Sequence, residues 1–129
     1  EIASSLVGSE MCIRDSGLGV HWALDLLNEY SKNDLEIIDL NTLIPWDKEL
    51  VFNSIKKTGK VLLLGEDTIF SSYIGEISAV ISEEIFEYLD APVIRVGSLD
   101  TPVPFAKNLE KGFQANYILK DKLNYLLNY

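Results

Sequence analysis

Polar pairs close three apolar runs of this chain. Asp39 and Asn41 follow Ile37-Ile38, Glu66 and Asp67 follow Val61-Leu62-Leu63-Leu64, and Ser98 and Asp100 follow Val93-Ile94-Arg95-Val96. If the runs are parallel strands, their carboxyl ends form an acidic rim, the edge where open α/β sheets collect ligands. Carboxylate oxygens suit a hard cation such as magnesium or calcium. Asp, Asn and Ser also cap helices and close turns. Spacing alone leaves both roles open, and capping is the simpler. His21 is the only histidine, so no two-histidine metal site can form. It reads as a proton carrier at a helix start or as a packing residue beside Trp22. Trp46, Phe86 and Tyr88 read as core residues.

Other chemistries lack their residues. There is no G-x-x-x-x-G-K-[ST] and no G-x-G-x-x-G. Gly17-Leu18-Gly19 has no third glycine and reads as a relaxed backbone where a strand turns into a helix. A nucleophile elbow, G-x-S-x-G, and a hydroxyl-rich flavin phosphate loop are both missing. A phosphoacceptor receiver domain needs an acidic pair after its first strand and a lysine after its last, and neither occurs. No residue is assigned to catalysis, cofactor binding or a metal.

The 129 residues carry 20 acidic and 11 basic side chains, a net charge of −9. Such a surface repels phosphate backbones and anionic bilayers, so neither nucleic acid nor a membrane is an expected partner. An acidic patch that docks a basic module is the sharper alternative to plain solubility. The hydrophobic fraction is 47%, enough for one packed domain that buries roughly two-thirds of its unfolded surface. Cys12 is the only cysteine, which excludes an internal disulfide and a Cys-rich zinc site. A cytoplasmic location is expected. No apolar run approaches the ~20 residues of a membrane span, and the first residues lack the basic region of a signal peptide.

Residues 1–16 show no clear period and read as a leader, either non-native, in the manner of translated adaptor sequence, or divergent, with a strand at Met11 to Arg14. Residues 17–129 read as the domain. Val20, Ala23, Leu24, Leu27 and Tyr30 mark a helix face, and Glu36 to Leu40 a strand. Asp47 caps a second helix striped by Leu50, Val51 and Ile55 and stopped at Gly59. Lys60 to Leu64 is a strand without polar alternation, so both its faces are expected to be covered. Glu66 to Ser72 is expected as a loop. A long helix follows through Ile74, Ile77, Ile81, Ile85 and Tyr88, with Glu76, Glu83, Glu84 and Glu87 opposite. Val93 to Val96 is a strand, Gly97 to Asn116 irregular, and Ile118 to Tyr129 a closing helix. Alternating helices and strands predict an α/β three-layer sandwich around a mainly parallel sheet.

Five segments in order resemble one family: Val20-His21-Trp22-Ala23-Leu24, Ile38-Asp39-Leu40-Asn41-Thr42-Leu43-Ile44-Pro45-Trp46-Asp47, Lys57-Thr58-Gly59-Lys60, Gly75-Glu76-Ile77-Ser78, and Leu89 to Ala106. They are similar to the C-terminal domain of the beta subunit, or fused alpha-beta form, of branched-chain 2-oxo acid and pyruvate dehydrogenases, in the transketolase superfamily. The resemblance implies a sheet of about five strands. It also implies a parent enzyme that uses thiamine diphosphate and magnesium to decarboxylate a 2-oxo acid. This chain has no Gly-Asp-Gly magnesium motif, so it is expected to bind neither and to be inactive alone. The implied partners are the remaining domains or alpha subunit and a lipoyl acyltransferase. Glu66, Asp67, Asp100, Pro102 and Pro104 are the expected interface or entrance residues. Apolar surface left by missing domains predicts a homodimer. The chain departs from the family in having Gly65 where a histidine is common, and Ser71-Ser72-Tyr73 where glycines precede the long helix. Two alternatives stand beside this reading: a free-standing binding module with an acidic cation site, and a domain of a transketolase or deoxyxylulose-phosphate synthase.

Overall fold

The computed structural model describes residues 17–30 and 35–129 in full and 11–15 as backbone. The strands are β1 (Met11–Asp15), β2 (Leu35–Asp39), β3 (Val61–Thr68) and β4 (Ile94–Ser98). The helices are α1 (Leu18–Leu27), α2 (Lys48–Thr58), α3 (Tyr73–Glu84), α4 (Lys107–Phe113) and α5 (Asn116–Leu127), with a 3-10 turn at Phe86–Tyr88. The described strands form one parallel sheet of four, ordered β2-β1-β3-β4, rather than about five. β1 lies between β2 and β3, in register from Met11 with Leu35 and from Cys12 with Val61. It falls where the divergent-leader alternative put a strand. The rest of the leader reading, residues 1–10 and Ser16, lies outside the described residues.

β3 shows why the fold has three layers. Val61, Leu62, Leu63 and Leu64 are all fully buried. Successive side chains of a strand point to opposite faces. Leu62 and Leu64 join Ala23, Leu119, Leu123 and Leu126 under α1 and α5. Val61 and Leu63 join Val51, Ile55, Ile74, Ile77 and Ile81 under α2 and α3. The expected double-sided cover is present.

Local chemistry sets the helix ends. Asp47 accepts a hydrogen bond from the Leu50 N–H at 2.9 Å, capping α2. Gly59 ends α2 at φ 67°, a left-handed conformation that glycine adopts without a Cβ penalty. α1 and α5 are joined by the Tyr30 hydroxyl donating to Asn124 Oδ1 at 2.7 Å and by the exposed Lys120–Glu29 ion pair, whose hydrogen bond raises the lysine's pKa. Glu36 is buried, and its carboxylate accepts the Ser54 hydroxyl at 2.6 Å, which supplies the partner that a buried polar group requires.

Several expectations need correction. β3 runs on to Thr68, through three residues expected in a loop, because its far end pairs again with β4. α3 stops at Glu84, and Phe86 and Tyr88 sit in the turn with their rings exposed, so neither is core. Leu24 and Leu50 are also exposed, since neither lies on the covered side of its helix. The stretch expected to be irregular contains α4, and the closing helix begins at Asn116. His21 is exposed on α1, which removes its packing role.

Candidate functional site

The register of β3 against β4 builds the rim. Leu64 pairs with Val96 and Thr68 with Ser98, so β3 spends two more residues than β4 over the same length. This bulge carries Glu66 and Asp67 out of the sheet. Two contacts fix it. The Ser98 hydroxyl donates to the Glu66 carbonyl at 2.6 Å. A Cβ at Gly97 would stand 2.7 Å from the Asp67 carbonyl oxygen, so only glycine lets the strands approach this closely.

The rim carboxylates are used by backbone. Glu66 Oε1 accepts from the Leu18 N–H at the start of α1, where N–H groups lack intrahelical partners. Gly17 precedes it at φ 86°, and a Cβ there would lie 2.7 Å from the same oxygen. Asp100 Oδ1 accepts from the Phe70 N–H at 2.8 Å, tying the loop after β4 to the loop after β3. Asp67 is exposed, as is Pro102, and Pro104 is partly covered. Glu66, Asp67 and Asp100 therefore share the carboxyl ends of β3 and β4, while Pro102 and Pro104 lie on the segment that leaves that edge. Among the described residues no three His, Cys, Asp or Glu side chains converge as a metal site. A thiamine diphosphate–magnesium site does not fit these residues either. Gly-Asp-Gly is absent from the sequence, and the carboxylates of Glu66 and Asp100 already hold backbone N–H groups.

Apolar side chains dominate the rest of the rim. Ile44 is 96% exposed, Phe70 80% and Phe105 106%. Leu43, Leu99 and Val103 are exposed at the same end of the sheet. Between the loop after β2 and the first half of α3 lies a concavity of about 720 Å³, lined by Leu43, Ile44, Pro45, Trp46, Tyr73 and Ile77 together with the charged Lys48 and Glu76. Its wall is held in place. Thr42 Oγ1 donates to the Pro45 carbonyl at 2.9 Å, Trp46 packs edge-on against Phe52 at 6.0 Å, and Lys48 lies 5.9 Å from the Trp46 ring while paired with Glu84 at 2.7 Å. Sequence reasoning named no residue of this groove as a site. The available signal was Leu43-Ile44, two large apolar residues between a strand end and a proline, where a solvated loop would carry polar ones.

A family model described as transketolase, C-terminal domain, matches residues 6–117. The chain belongs to this family. Among curated relatives, the 2-oxoisovalerate dehydrogenase subunit beta of Bacillus subtilis is 39% identical over 112 residues, covering 84% of this chain and 34% of that protein. The pyruvate dehydrogenase E1 component subunit beta of Mycoplasma pneumoniae is 42% identical over 108 residues, covering 80% and 33%. The chain thus spans about a third of the length of these relatives. Among solved structures, a split-gene transketolase described as an inactive beta4 tetramer superposes with a TM-score of 0.74 over 94% of this chain and 39% of that one, at 23% identity, which shows the shared fold. This transketolase C-terminal fold thus has its alternating α/β elements as expected, on a small parallel sheet. No described helix is long and apolar enough to cross a membrane.

Proposed function

We propose that this chain is the C-terminal assembly and docking domain of a thiamine diphosphate-dependent 2-oxo acid dehydrogenase, and that it has no catalytic activity alone. One observation carries the reading: the strand ends, where α/β sheets usually place their chemistry, present large apolar side chains and carboxylates already engaged by backbone. A catalytic edge would instead present convergent polar groups. The extent of the similarity supports the same view, because the family's thiamine chemistry belongs to polypeptides about three times as long. In this reading Asp67, Pro102 and Pro104 are interface residues, and Glu66 and Asp100 hold the rim in shape. The parent is cytoplasmic and passes its acyl group to a lipoyl acyltransferase. The exposed apolar rim also supports self-association.

The test mixes this chain with the thiamine-binding part of the Bacillus subtilis subunit lacking its own C-terminal third. Sedimentation velocity should show a complex that Phe70→Ser weakens. Absence of any complex, together with turnover of a branched 2-oxo acid by this chain alone, would overturn the proposal.

A further inference from the structure

The groove beside Trp46 and the segment after β4 are two uncovered apolar features among the described residues. Pro102-Val103-Pro104-Phe105 has no regular secondary structure. Val103 is 63% exposed and Phe105 entirely so. A water-facing phenylalanine on a proline-stiffened segment is costly unless something covers it. We propose that this arm seats in the Trp46–Tyr73 groove of a second copy of the chain, the two copies exchanging arms reciprocally. The inference rests on the self-association proposed above and gives it a contact.

Three arguments favour a second copy. The first is shape. Two prolines fix φ and favour an extended polyproline conformation. Grooves lined by aromatic rings hold such segments because little conformational entropy remains to be lost. Trp46 and Tyr73 line this groove, and Pro45 and Ile77 complete it. The second is charge. Two copies at −9 each repel at long range, so their contact needs local complementarity. The arm runs directly into Lys107 and, one turn later, Lys111. The groove is lined by Glu76 and by Lys48, whose charge is already met by Glu84, and Glu83 lies further along α3. Among the described residues Lys107, Lys111 and Glu76 form no ion pair. The third is closure. A reciprocal exchange buries both features of both copies and leaves no open end, as a two-fold contact requires, whereas a foreign partner in the groove would leave Phe105 in water.

Sedimentation equilibrium on the full chain tests the contact by charge exchange. Lys107→Glu and Glu76→Lys should each weaken the dimer about tenfold, since both reciprocal contacts change from attraction to repulsion. An equimolar mixture of the two variants should recover wild-type affinity, because its mixed dimer again pairs opposite charges at both contacts. Both positions are exposed, and recovery on mixing itself shows that the variants fold. A dimer unmoved by either reversal, or a mixture no tighter than its components, overturns the arm–groove contact while leaving self-association intact. A wild-type chain that stays monomeric at every concentration overturns both.

Discussion

The middle of β3 and the rim beyond it use the same kinds of residue to opposite ends. Val61 to Leu64 are fully buried between two helical layers, whereas Ile44, Phe70 and Phe105 lie almost wholly in water. In the middle, side-chain size sets stability through packing. At the rim, the backbone is held by specific polar contacts, from Ser98 to Glu66 and from Phe70 to Asp100, and the apolar side chains contribute little to folding. An apolar rim that the domain does not need for its own fold is what the proposed docking role would use.

Substitutions can break or sharpen this contrast. Leu63→Ala should lower stability by about 3 kcal/mol, through lost transfer energy and the cavity left behind, read from the denaturant midpoint. Gly97→Ala should cost about 2 kcal/mol, because its Cβ meets the Asp67 carbonyl at 2.7 Å and Ile69 Cγ1 at 2.9 Å. It should also disturb the rim, seen as faster amide exchange at the Phe70 and Ser98 N–H groups. Ser71→Gly should raise the thermal midpoint, with a gain of about 0.5 kcal/mol, since Ser71 sits at φ 60° where a Cβ is strained. Phe70→Ser should leave stability unchanged within about 0.5 kcal/mol while weakening the complex with the thiamine-binding part. A loss as large as that of Leu63→Ala would make the rim part of the core.

The sequence made the middle of the molecule plain and the rim obscure. Four apolar residues in a row at Val61, without polar alternation, read as a strand covered on both sides, and Asp47 and Gly59 bracketed α2 because cap chemistry is local. The bulge in β3 was hidden, because it depends on pairing with β4 thirty residues away and on the room left at Gly97. Tyr88 continued the helical spacing of α3, but the helix ended at Glu84 and left Tyr88, and Phe86 beside it, exposed. The rim carboxylates were visible as residues, although their partners at Leu18 and Phe70 were not, being set by tertiary placement. The groove escaped notice because it is made by two segments, Leu43 to Trp46 and Tyr73 to Ile77, that are separate in the chain.

The central claim is that the carboxyl-end rim is an interface and not a reaction centre. Isothermal calorimetry of the chain with thiamine diphosphate and magnesium, together and singly, tests it most directly. The account predicts no saturable heat from either. Micromolar binding of magnesium that Asp67→Asn abolishes, or of the coenzyme by this chain alone, would contradict it.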